Sequence, residues 1–239
     1  MTEHPLILHL ETATNVCSVA VSQGEKLLAL RESNEDRSHG ALLTVFMDEV
    51  MKEAGLSPGD IHAIAVSKGP GSYTGLRIGV SATKGFAYAR NIPVIGIITL
   101  QSLAVSARKA SALESLTKKY DNLLLCPMID ARRMEVYTAM YDLQLQEKQP
   151  VSASVIDEDS FSNILKNQPI AFFGNGSEKA RKVIRHPNAN YISAVQTSAK
   201  DMIPLALEAF HQSRFEDTAY FEPFYLKDFI ATIPKRKVL

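Results

Sequence analysis

An apolar run that ends in an acid and leads through a polar turn into two further strand-like runs occurs twice in this chain. In the first occurrence Pro5 to Glu11 is the apolar run, Thr12-Ala13-Thr14-Asn15 the turn, Val16 to Ser22 the second strand and Lys26 to about Glu32 the third. In the second, Leu123 to Asp130 is the run, Ala131-Arg132-Arg133 the turn and Met134 to Tyr141 the second strand, with a third from Leu143 onward. Glu11 and Asp130 therefore close matching strands. Each triplet then gives way to alternation of helix and strand. The first half places helices over 38–54 and 74–90 and strands over 61–67 and 94–98; the second places helices over 159–166, 177–184 and 198–212 and a strand over 170–174. This grammar, used twice, predicts an α/β chain of two subdomains related by an internal pseudo-repeat, with a cleft between them. The expected division is residues 1–101, joined by the 198–212 helix, and residues 102–239. A single α/β domain whose halves resemble each other by chance is the competing arrangement.

The charge pattern singles out one loop. Between Ile61 and Leu113 there is no Asp or Glu, while Lys68, Arg77, Lys84, Arg90, Arg108 and Lys109 supply six positive charges in a chain whose formal net charge is zero. Residues 31–60 carry the opposite excess, seven acids against three bases. Inside the acid-free stretch, Ser67-Lys68-Gly69-Pro70-Gly71-Ser72-Tyr73-Thr74-Gly75-Leu76-Arg77 joins an apolar strand to a helical pattern. A strand, a glycine loop and a helix start can form an anion site, because backbone N–H groups converge there and glycine permits close approach. Candidate residues are Gly69, Gly71, Ser72, Thr74 and Gly75, with Glu11 and Asp130 across the cleft. The loop fits neither the Walker A spacing nor the dinucleotide fingerprint, and a tight turn where a helix packs closely on a sheet explains the glycines equally well. Lys68, Arg77, Lys84 and Arg90 offer a route to direct nucleic-acid contact, although zero net charge is a poor basis for independent nucleic-acid binding. The basic tail Lys235-Arg236-Lys237 reads as a solvated end.

Other chemistry finds little support. No two of the six histidines stand three or four apart, and Cys17 and Cys126 lie in apolar runs as reduced core thiols, so neither a metal nor another cofactor is expected. His39 reads as a helix-start residue. Ser81-Ala82-Thr83-Lys84 matches a Ser-x-x-Lys pattern without its companions. The stretch Leu6 to Leu10 is interrupted by His9 and closed by Glu11, with no basic segment ahead of it, so a cytoplasmic protein without a membrane span is expected. Two helices are more informative. Leu42, Leu43, Phe46, Met47, Val50, Met51 and Ala54 cover nearly half of the first helix, wider than the roughly 100° that one core contact needs. The helix from Thr74 carries Gly75, Gly79 and Gly85 beside Ala82, and interior glycines cost about 1 kcal/mol each against Ala. Close approach by another helix compensates for such glycines, which points to a docking surface of Leu42, Leu43, Phe46, Met47, Val50, Gly75, Gly79, Ala82 and Phe86; burial of both helices within their own subdomain explains the pattern equally well.

Leu8-His9-Leu10-Glu11-Thr12-Ala13-Thr14, Val16-Cys17-Ser18-Val19-Ala20, the long Gly-Pro-Gly-Ser-Tyr-Thr-Gly-Leu-Arg loop and Ile129-Asp130-Ala131-Arg132-Arg133 closely resemble the TsaB (YeaZ) family, with a weaker echo in Tyr225-Leu226-Lys227. The resemblance implies an actin-like fold of the sugar-kinase and heat-shock ATPase type, built from two RNase H-like subdomains. It also implies an accessory, non-catalytic role in forming N6-threonylcarbamoyladenosine beside the anticodon of tRNAs that read codons starting with A. The implied partners are a TsaD-like transferase that holds the metal, a TsaE-like ATPase, and tRNA bound through the complex, with homodimers when TsaD is absent. Catalytic relatives use a His-x-x-x-His helix pair; this chain has His39 but Leu43 in place of the second. Glu11 stands where fold relatives usually end the first strand in Asp, which weakens any inference of nucleotide binding. The alternative is an ATP-dependent phosphotransferase of the same fold, using Glu11, Asp130 and the glycine loop. A peptidase lacks both nucleophile pair and metal ligands.

Overall fold

The computed structural model describes residues 2–35 and 39–227; Ser38, expected in the first helix, and the tail Lys235-Arg236-Lys237 lie outside the described residues. The first half contains β1 (Leu6–Glu11), β2 (Cys17–Gln23), β3 (Lys26–Ser33), α1 (His39–Glu53), β4 (Ala63–Gly69), α2 (Tyr73–Arg90) and β5 (Val94–Ile98). Then come α3 (Thr99–Ala107) and α4 (Ser111–Lys119). The second half has β6 (Leu124–Asp130), β7 (Glu135–Tyr141), β8 (Glu147–Val155), α5 (Ser162–Leu165), β9 (Ile170–Phe173), α6 (Ser177–Val183) and β10 (Ala189–Ile192), and α7 (Ile203–His211) follows.

The two sheets have one topology. Their orders are β3-β2-β1-β4-β5 and β8-β7-β6-β9-β10. In each, the first three strands pair antiparallel and the last two are added in parallel. The duplication matches the pseudo-repeat, and the shared order is the RNase H-like, actin-type arrangement that the family resemblance implies. β1 and β4 read as unbroken apolar runs because both of their faces are covered. Leu8, Leu10, Ile64 and Val66 face the cluster containing Leu43, Val50 and Val80 of α1 and α2. Ile7, Ala63 and Ala65 face Leu205, Ala206 and Phe210 of α7. The second sheet is covered in the same way, with Leu103 of α3 on one side and Ala180 of α6 on the other.

Several elements differ from the sequence reading. α3, α4 and β10 occupy stretches to which that reading assigns no element, and residue 101 lies inside α3. The helix expected over 159–166 shrinks to Ser162–Leu165, because Asp157 and Ser160 close a turn on each other's backbone and side chain that competes with helix formation. The one expected over 198–212 divides into a 3-10 turn, Ala199–Met202, and α7, with Pro204 in the first turn of α7, where a missing N–H costs nothing. β8 starts at Glu147 rather than Leu143, since Asp142 Oδ1 accepts from Gln144 N and Gln146 N, both at 2.9 Å, and folds 142–146 into a turn. Among the described residues no helix is long and apolar enough to cross a membrane.

Candidate functional site

The glycine loop sits where β4 ends and α2 begins. Ser72 caps the helix, its Oγ accepting from Gly75 N at 3.2 Å, and Ser72 N donates to Ala13 O at 2.7 Å. A Cβ on Gly71 would overlap Ala13 O, one on Gly75 would overlap Thr12 O, and one on Gly79 would overlap Thr12 Oγ1. The bare faces of these glycines are thus filled by the β1–β2 turn of the same chain, which accounts for them without a bound group. Gly69 takes φ of 114°, a backbone conformation open to glycine, and its Cβ position lies 2.8 Å from Phe224 O. Ser72 and Thr74 are exposed at the surface of the loop.

Three of the four cations offered for nucleic-acid contact, Lys68, Arg77 and Lys84, bond to the C-terminal segment. Lys68 pairs with Glu216 at 2.9 Å, and Phe224 N donates to Lys68 O at 2.6 Å. Lys84 Nζ donates to Ala219 O at 2.9 Å and Phe221 O at 3.2 Å. Arg77 lies over the Tyr73 ring at 4.5 Å and bonds Tyr225, whose ring is 5.0 Å from that of Tyr73. Arg90 lies against the turn at Gly59. Tyr225-Leu226-Lys227, a faint motif in the sequence, therefore belongs to a strap across the start of α2, and Lys227 continues it to Glu135 of the second half.

The two strand-closing acids have opposite environments. Glu11 is fully buried; its Oε1 accepts from Ala13 N at 2.7 Å and its Oε2 has no partner among the described residues. Burial raises its pKa from 4.5 to about 7 against the hydrogen bonds from Ala13, Ser67 and Thr12, and the nearby Asp201 charge adds to the rise. Asp130 is open to solvent, with Oδ1 accepting from Arg132 N at 2.6 Å and Lys179 Nζ at 2.7 Å. Among the described residues no three His, Cys, Asp or Glu come together as a metal-binding group. His39 opens α1 and is buried.

The expected docking residues separate into two sets. Leu43, Met47, Val50, Gly75 and Gly79 are buried in the chain's own first half, so they are not surface. The reason is that the wide apolar stripe of α1 serves the sheet along one margin and solvent along the other. Leu42, Phe46, Ala82 and Phe86 stay half-buried together with Ile78, and Val45 is 46% exposed. Gly85 meets nothing within 4 Å, so unlike Gly75 and Gly79 it is bare toward the outside.

One relation was legible in the sequence and missed by it. Gly174-Asn175-Gly176-Ser177 follows β9 much as Gly69-Pro70-Gly71-Ser72 leads out of the end of β4. Gly174 takes φ of 92° as Gly69 takes 114°, and Gly176 lies against Ile129 and Asp130 as Gly71 lies against Ala13. The recurring Gly-x-Gly-Ser after an apolar strand is the signal.

With the duplicated fold and the glycine-filled loop in place, comparison with known proteins is decisive. Residues 31–235 match the family described as TsaD, tRNA N6-adenosine threonylcarbamoyltransferase. The chain belongs to this family. It is 28% identical over 239 residues to the tRNA threonylcarbamoyladenosine biosynthesis protein TsaB of Escherichia coli (strain K12), covering 94% of this chain and 96% of that protein. A tRNA N6-adenosine threonylcarbamoyltransferase of Halalkalibacterium halodurans is 35% identical over 113 residues, but over only 41% of this chain and 33% of its own length. The crystal structure of an uncharacterized Pseudomonas aeruginosa protein with similarity to peptidase YeaZ has the same fold, with a TM-score of 0.80 over 93% of this chain and 100% of that one at 23% identity.

Proposed function

We propose that this chain is a non-catalytic subunit for the formation of threonylcarbamoyladenosine in tRNA, and that it acts by docking onto a TsaD-like transferase. The observation that carries the reading is the outer face of α1 and α2. Leu42, Val45 and Phe46 lie one helical turn apart on α1, and Ile78, Ala82 and Phe86 do so on α2. Gly85 opens the end of this face to close helix approach. Each large apolar side chain that a partner covers contributes roughly 1.5–3 kcal/mol. The near full-length similarity to TsaB supports the pathway, and the internal filling of the glycine loop and the sealing of Glu11 support an accessory role over phosphotransfer. The same face serves for homodimers when the transferase is absent, and a TsaE-like ATPase and tRNA join the assembled complex.

The test is light scattering of the chain mixed with the TsaD-like protein of its own cell. Phe46→Glu and Ala82→Arg each abolish the heterodimer while circular dichroism stays unchanged. Gly79→Arg is unsuitable, because Gly79 faces Thr12 inside the fold. A heterodimer that survives both surface substitutions refutes the docking face.

A further inference from the structure

The β6–β7 turn carries two arginines that the fold does not require. Arg132 and Arg133 both adopt left-handed backbone, with φ of 71° and 48°, a conformation disfavoured for side chains other than Asn and Asp. Hydrogen bonds lock the turn in this shape. Asp130 Oδ1 accepts from Arg132 N at 2.6 Å, Ala131 N donates to Glu135 O and Glu135 N to Arg132 O, each at 3.1 Å. From outside the turn, Asn175 Oδ1 accepts from Asp130 N at 2.9 Å, and Lys179 Nζ reaches Asp130 Oδ1 and Glu135 O at 2.7 and 2.9 Å.

The charges around the turn cancel except at its tip. Lys179 neutralises Asp130 and Lys227 neutralises Glu135. Arg132 and Arg133 are exposed, and neither guanidinium has an ion-pair partner among the described residues. In the matching turn of the first half, residues 12–15 are Thr-Ala-Thr-Asn, and Gly75 and Gly79 of α2 cover Thr12 while Gly71 of the loop before it covers Ala13. The architecture therefore works without cations at this point. Unpaired guanidiniums carried on a hydrogen-bonded turn are suited to bidentate contact with phosphate. Two apolar side chains, Met134 and the Val155 that pairs with Glu135, are exposed beside the turn; the charged Asp130, Glu135, Lys179 and Lys227 surround it otherwise, a make-up closer to the polar, charged interfaces of nucleic-acid binding.

We propose that the β6–β7 turn is an RNA phosphate contact, in which Arg132 and Arg133 grip the sugar-phosphate backbone of the tRNA substrate. The proposal rests on the functional reading above; Lys68, Arg77 and Lys84 are already engaged by the strap.

The experiment measures tRNA affinity against salt for the full chain in complex with its TsaD-like partner. The variants are Arg132→Gly with Arg133→Gly, and Arg132→Lys with Arg133→Lys. Glycine suits both φ values, so the first pair removes charge without threatening the fold. It is expected to weaken tRNA binding by about tenfold or more and to lower the slope of log affinity against log salt by about two. Heterodimer assembly stays unchanged, and the lysine pair retains most of the slope. Unchanged affinity and slope in the glycine pair overturn the proposal. So does loss of the heterodimer in that pair, which assigns the arginines to a protein surface. If the wild-type heterodimer never forms, the functional reading fails separately, and the same salt titration on the isolated chain at low salt decides the RNA contact.

Discussion

Glu11→Gln isolates the cost of one sealed carboxylate. A tenfold change in proton affinity corresponds to about 1.4 kcal/mol. Raising the pKa of Glu11 from 4.5 to about 7 therefore penalises its ionised form in the folded chain by about 3 kcal/mol. The folded state binds the proton more tightly than the unfolded state does. Stability from this group is thus complete below pH 4.5, falls as pH rises toward 7, and is gone above it. His9 works in the opposite direction. Burial lowers its pKa from 6.5 to about 3, so it penalises the folded chain as pH falls below 6.5, and the two groups partly mask each other in the raw pH profile. Glutamine keeps the Oε1 acceptor for Ala13 N and places a neutral amide where protonated Glu11 has its hydroxyl. Urea unfolding should find the variant within about 1 kcal/mol of wild type at pH 5 and about 3 kcal/mol more stable than it at pH 8. Since His9 is present in both proteins, it drops out of the difference. If the difference between the two proteins is the same at both pH values, Glu11 is not held protonated by burial and the reasoning fails.

Glycines of α2 that look alike in sequence are expected to respond with opposite sign. Gly75→Ala drives a Cβ into Thr12 O and should cost about 3 kcal/mol in urea unfolding, whereas Gly85→Ala enters open space and should add up to about 1 kcal/mol through helix propensity. Lys109→Ala removes the 2.6 Å partner of Asp201, whose side chain is 2% exposed, and should destabilise by about 2 kcal/mol at neutral pH; an unchanged denaturation midpoint would show that the pair contributes nothing.

The duplicated architecture was legible because its cause is local. An apolar run closed by Glu11 or Asp130, a short polar turn and two more strands recur in order, and the sheets follow that order. The glycine loop was legible as a place but not as a function, since a glycine beside a phosphate and a glycine beside Thr12 O carry the same letter. The docking stripe on α1 suffered from the same limit: Leu42 and Leu43 are neighbours in sequence, yet one faces outward and the other the core. The C-terminal partners of Lys68, Arg77 and Lys84 were not legible because they come from residues 216–225, far along the chain. Arg132 and Arg133 read in the sequence only as part of a motif; the shape of their turn depends on Asn175 from the β9–α6 loop and Lys179 from α6, which bond Asp130 and Glu135.

The strap and the β1–β2 turn together hold the first turn of α2 from two sides, through Ser72, Tyr73 and Arg77. A helix already clamped at its root has little motion left to surrender when a second protein settles against it. For the proposed heterodimer this favours long residence, because the entropy of ordering that surface was spent when the chain folded.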